Sequence, residues 1–147
     1  MPRSNRPLTQ FAVRELQRVL QSSPTVEAYD SFSGNTGVVW TEEILTFSLH
    51  GRKILELEFQ GDNFVGLWVF DGAFFDKRGG LSNTTRERLN GLLDELGNQC
   101  LIPEGVRVFN NKETGTSFVG RGEQRAPLGA SFPPARIESD STNLIFS

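Results

Sequence analysis

Residues 66–97, GLWVFDGAFFDKRGGLSNTTRERLNGLLDELG, constrain the fold more than any other stretch of the chain. The overlapping run 65–70 (VGLWVF) is almost continuously apolar, the pattern of a central strand covered on both faces, with a helix on at least one of them. Asp71-Gly72 turns the chain and Phe74-Phe75 read as a short extension. Thr84 and Glu87 then stand at capping-box spacing. Leu89, Leu92, Leu93 and Leu96 follow at i, i+3, i+4 and i+7, one stripe of a helix that Gly97 closes as its C′ residue. The stripe is expected on a sheet, with Arg86, Glu87, Arg88 and Glu95 near solvent. A strand feeding such a helix indicates an α+β or α/β chain. It does not indicate a reaction.

Residues 9–22 (TQFAVRELQRVLQS) read as a first helix, with Thr9 as N-cap and Phe11, Ala12, Leu16, Val19 and Leu20 near helical spacing. Ser22, Ser23 and Pro24 stop it. Between residues 26 and 75 the apolar period changes to two, which marks candidate strands at 26–32, 36–40, 44–49, 53–59 and 65–70. Leu55, Leu57 and Phe59 point one way, and Ile54, Glu56 and Glu58 the other. His50-Gly51 suits a two-residue hairpin turn, and 61–63 (GDN) suits the next, so this block reads as an antiparallel meander. Two further strands are expected at 106–109 and 117–119, across a turn at 110–115. From residue 120 the composition shifts to Gly, Pro, Arg and Ser, with too few apolar groups to offset the entropy of ordering.

The expected organisation is therefore a mobile arm over 1–7, one α+β domain over 8–120, and an extended or disordered tail over 121–147. In the domain a mostly antiparallel sheet of five to seven strands packs against one or two helices. The tip Leu144-Ile145-Phe146 is apolar enough to dock on the domain or on a partner.

Aromatic content is skewed, with twelve Phe against one Tyr and two Trp. Phe carries a large apolar area and no polar handle, so these residues are expected to fill a core rather than to form a base-stacking surface. The net charge of −3 is unevenly laid out. Residues 27–76 hold nine acids against Arg52 and Lys53, whereas residues 77–125 hold eight bases against six acids. Overall acidity argues against a broad phosphate-binding face. Cys100 is the only cysteine, so no intrachain disulfide forms and a reducing compartment is the natural setting. No apolar run approaches the roughly 18 to 20 residues that span a bilayer. A soluble, cytoplasmic protein without membrane association is expected.

One His and one Cys exclude a His- or Cys-based zinc site within a single chain. His50 and Cys100 lie in separate elements, so nothing pairs them as base and nucleophile. Carboxylates remain as a route to a metal. Asp71 and Asp76 flank a turn and Glu56 and Glu58 share a strand face, but they lack the compact acid-acid-Lys arrangement of a metal-dependent nuclease. No catalytic residue, metal or cofactor is assigned, and the balance is against an enzyme. Residues 77–85 (KRGGLSNTT) place cations and amide donors beside a helix N-terminus, where the dipole favours an anion. Lys77, Arg78, Thr84, Thr85, Arg86 and Arg88 are therefore the candidate anion- or partner-binding residues.

Residues 82–93 (SNTTRERLNGLL), with the upstream SFSGNTGVVW of residues 31–40, resemble an uncharacterised small domain common in phage genomes. There a Thr-Thr pair is followed by a basic residue and Asn near a helix start. The resemblance implies only an origin, as a small accessory protein of a phage or mobile element in the host cytoplasm. The expected function is a non-enzymatic binding protein that binds or inhibits a host protein such as a defence nuclease. One alternative is a nucleic-acid-binding accessory domain using Arg3, Arg6, Lys77, Arg78, Arg86 and Arg88. Another is a carboxylate-metal hydrolase centred on Asp71 and Asp76. A homodimer through an exposed edge strand, or through the 144–146 tip, is a further alternative.

Overall fold

A computed structural model describes the chain except for residues 1–6, 23–26, 42, 73, 74, 76 and 78. The first helix, α1 (Pro7–Ser22), begins ahead of the expected cap. Pro7 occupies the first turn, where a missing N–H leaves nothing unsatisfied. Thr9 lies inside the helix instead of capping it, buried together with Ala12, Leu16 and Val19.

The alternating segment folds into a five-stranded meander: β1 (Tyr29–Ser33), β2 (Thr36–Trp40), β3 (Ile44–Leu49), β4 (Arg52–Gln60) and β5 (Asn63–Val69). Each strand pairs antiparallel with the next. His50 and Gly51 form the expected two-residue turn, with φ of 53° and 77°, as a turn needing positive φ at both centres requires. Cross-strand partners share a face, and the row Val38, Phe47, Leu55 and Val69 lies wholly on the buried side. Ile54 departs from the expected alternation. The register shifts beyond Phe47, so that Ser48 pairs with Lys53 and Phe47 with Leu55. Ile54 is the extra residue of this bulge and is buried alongside Leu55.

The second helix, α2 (Asn83–Asn98), buries Leu89, Leu92, Leu93 and Leu96 as expected. Its ends differ from expectation. Ser82 is the N-cap in place of Thr84, its hydroxyl accepting the Thr85 N–H at 3.2 Å. At the other end Gly97 is still helical, and Cys100 takes the left-handed position with φ 61°. The Cys100 N–H donates to the Gly97 carbonyl and the Leu101 N–H to the Leu96 carbonyl, both near 3 Å. This is the Schellman pattern, built on a residue other than glycine. Gly97 serves packing, since a methyl there would stand 3.3 Å from the Glu104 Cα.

Beyond α2 the strands β6 (Arg107–Asn110), β7 (Ser117–Arg121) and β8 (Gln124–Leu128) form a separate antiparallel sheet. Asn90 of α2 fastens it by bracketing Val108, donating to its carbonyl at 3.0 Å and accepting its N–H at 2.7 Å. The final strand, β9 (Ala135–Glu138), returns to pair with β5, completing the order β1-β2-β3-β4-β5-β9. Phe146 then bridges Ile137, and the Glu138 and Ser147 N–H groups donate to Ile145 and Arg136 carbonyls.

Residues 121–147, expected to be a loose tail, are thus extended but fixed in place. They contribute two strands and bury Leu128, Ile137 and Leu144. The segment is ordered although poor in apolar groups because strand pairing satisfies its backbone.

Phenylalanine is also placed against expectation. Among the described residues only Phe47 and Phe59 are buried Phe, and the interior is built chiefly from leucine. β5 is central in pairing, as expected, but its faces differ: Leu67 and Val69 are buried while Trp68 is half-buried on the opposite side. No described helix is long and apolar enough to cross a membrane.

Candidate functional site

The residues expected to bind an anion do not converge. Lys77 is exposed, and Arg78 lies outside the described residues. Thr84 is half-buried, while Thr85 is buried with its hydroxyl 2.8 Å from that of Ser82. Arg86 folds back on the helix start, its Nε donating to the Leu81 carbonyl at 3.3 Å and its guanidinium to Asn83. Arg88 is the clearest correction, being only 2 % exposed instead of near solvent. It donates to Thr9 Oγ1 at 2.5 Å and lies 3.5 Å from Asn35 Oδ1 in the β1–β2 turn. Extending the leucine stripe back by four from Leu89 and Leu92 lands on Thr85 and Arg88. Position on the helix, rather than residue type, decides their burial.

The loop before α2 is likewise committed to structure. The Leu81 N–H donates to Ser117 Oγ at 2.8 Å, and the Asn110 amide donates to the Leu81 carbonyl at 3.2 Å. A methyl at Gly80 would come within 2.7 Å of Asn110 and 2.8 Å of the Gly115 carbonyl. The glycine permits a close clamp between loop and small sheet, which is a different task from cradling a phosphate.

Each of the two sheets turns one face outward among the described residues. On the six-stranded sheet the outer row Gly37, Ser48 and the row Val39, Thr46, Glu56, Trp68, Arg136 follow from the registers. Among the described residues nothing layers over this face, and at its β1–β3 end Phe32 is 68 % exposed, Val39 41 % and Ile44 36 %. Phe32 lies across Gly37, where a methyl would meet its ring at 2.7 Å. Toward β9 the face is polar and locked. Glu58 accepts the Trp68 indole N–H at 2.7 Å and pairs with Arg136, which also reaches Glu138 at 3.4 Å. Arg136 lies 5.4 Å from the Trp68 ring centroid, in space that Gly66 leaves open. Lys53 pairs with Glu56 at 3.1 Å. Carboxylates engaged in this way hold a surface in shape, and none is placed as a free acid or base.

The outer face of the three-stranded sheet is built differently. Phe109, Phe118 and Pro127 form one row, and Arg107, Gly120 and Arg125 the next. Phe109 and Phe118 stack with centroids 5.7 Å apart, and the Arg125 guanidinium covers both, at 4.9 and 5.4 Å. Sequence reasoning missed this group: the expected turn at 110–115 sets residue 109 opposite 116, whereas the structure pairs Phe109 with Phe118 and Asn110 with Ser117.

Among the described residues no three metal-ligating side chains cluster, and Asp76 lies outside them. His50 is in the β3–β4 turn beside Asn35, while Cys100 is exposed at the end of α2. A groove of about 470 Å³ between α1 and α2 is lined by polar groups such as Gln10, Gln17, Asp94 and Asn98. Burial raises the Asp94 carboxyl above its ordinary range, opposed by Arg107 at 3.7 Å. The Tyr29 hydroxyl is enclosed and meets no hydrogen-bond partner among the described residues. Burial first, and the Glu15 carboxylate second, push its pKa up to about 12. No family model matches the chain, and no curated protein or solved structure matches it either.

Proposed function

We propose that this chain is a non-enzymatic binding protein that docks a host protein on the open outer face of its six-stranded sheet. One observation carries the reading: Phe32, Val39 and Ile44 are exposed together at one end of a sheet face that no described element covers. Contiguous exposed apolar groups on a soluble surface mark interaction sites. Asp30, paired opposite Val39, supplies an exposed carboxylate beside them. A partner with a basic surface suits this face, and the substrate-binding cleft of a nuclease is one such surface. Inhibition of a host defence nuclease is the specific form of the proposal. Origin in a phage or mobile element rests only on the resemblance of residues 82–93 and 31–40.

Affinity capture from host lysate, with the wild type beside the variants Phe32→Arg and Val39→Lys, tests the reading. The wild type is expected to retain one stoichiometric partner. Each variant, if it strikes a hot spot, should lose roughly 30-fold in affinity, about 2 kcal/mol. Recovery of no stoichiometric partner, together with catalytic turnover by the pure protein, would overturn it.

A further inference from the structure

We propose that the outer face of the three-stranded sheet is a second binding site, which takes single-stranded nucleic acid by stacking a base on the Phe109–Phe118 pair and holding phosphate with Arg125 and Arg107. The argument is independent of the docking face on the larger sheet.

Two half-buried rings, stacked with an interplanar angle of 28°, present an apolar platform at the surface. A folded chain that buries only two of its described phenylalanines has placed these outside its core. The stems of Arg107 and Arg125 lie one row away, about 7 Å along the strands, and the Arg125 guanidinium folds back over the two rings, from which an incoming base displaces it toward the phosphate. Gly120 stands between Arg107 and Arg125 in the register, so no side chain separates their stems.

Charge decides the occupant. The Arg125 guanidinium donates only to the Gly122 carbonyl, at 3.2 and 2.8 Å, and no carboxylate among the described residues neutralises it. Arg107 has a single loose pair, with Asp94 at 3.7 Å, and both side chains are exposed. Salt and water weaken such a pair, so a phosphate can replace the carboxylate. Every base offers a π-face, so stacking here is tolerant of sequence, and a planar guanidinium complements both ring and phosphate. Bases already stacked within a duplex cannot use the platform.

Fluorescence anisotropy with labelled oligothymidine, oligouridine and a duplex of equal length tests the proposal. The expected result is saturable binding of one or both single strands at low salt, and weaker binding of the duplex. Two phosphate contacts predict a log-log salt slope of about −1.4. Phe118→Leu and Arg125→Gln are each expected to weaken binding about tenfold. Arg125 is exposed, so its variant keeps the fold even if Phe118→Leu does not. No binding at low salt, a flat salt response, equal affinity for duplex, tighter binding of an acidic peptide, or full retention by Arg125→Gln would each overturn it.

Discussion

At both outer faces an arginine lies over an aromatic ring beside a glycine, yet only one of the two guanidiniums is neutralised. Arg136 covers Trp68 and is held between Glu58 and Glu138. Arg125 covers Phe109 and Phe118 and answers only to a backbone carbonyl. The same local geometry thus gives a strut in one sheet and an unspent charge in the other. Neighbouring carboxylates make the difference. A cation–π contact alone does not tell whether a cation is structural; the count of acids around it does.

Arg88 extends the comparison inward, and the three arginines form a series that denaturant titration can break. Arg88→Met removes a charged donor from buried Thr9 and from Asn35, and should cost on the order of 3 kcal/mol. Arg136→Met leaves Glu58 and Glu138 facing each other without a cation, for a loss of about 1–2 kcal/mol. Arg125→Met touches no buried polar partner and should stay within about 0.5 kcal/mol. Any other rank order would show that burial and neutralisation do not set what these residues do. A large loss at Arg125 would make its face structural.

A third arginine–aromatic pair shows itself through pH rather than denaturant. Arg18 lies 4.4 Å from the Tyr29 ring centroid, and the enclosed hydroxyl is pushed up to about 12. Because the folded state holds the proton more tightly, this contribution to stability is fully present below about pH 10. It is lost as pH rises from there through about 12, since the unfolded chain gives up its proton first. Tyr29 is the only tyrosine, so tyrosinate absorbance reports it directly. A native midpoint near that of a free phenol would mean that the hydroxyl is open to water.

What was legible in the sequence was local. The β1–β5 meander follows from alternation, and the His50-Gly51 turn from the need for positive φ. The leucine stripe of α2 announces its own burial. Ser82 was missed as the N-cap because Thr84 and Glu87 stand at capping-box spacing, and only the structure shows which hydroxyl accepts an amide. Arg88 was misplaced because its charge outweighed its position on the stripe. β9 carries no local signature, since its reason for being a strand is β5, far away in the chain. Composition counted twelve Phe but could not say on which side of a strand each would stand. The Phe109–Phe118 platform was not legible, because the expected turn put the register of the two strands two residues off. Arg125 was hidden because the segment holding it read as disordered.

The return of β9 to β5 has a consequence for how the molecule comes into being. During synthesis the meander can form as its strands emerge, each finding the neighbour just made. One flank of β5 must nevertheless wait, its amides and carbonyls paired only with water, until residues 135–138 have been added. Interrupted translation therefore yields a chain with a sticky open seam beside Trp68, and completion of the chain is what closes it.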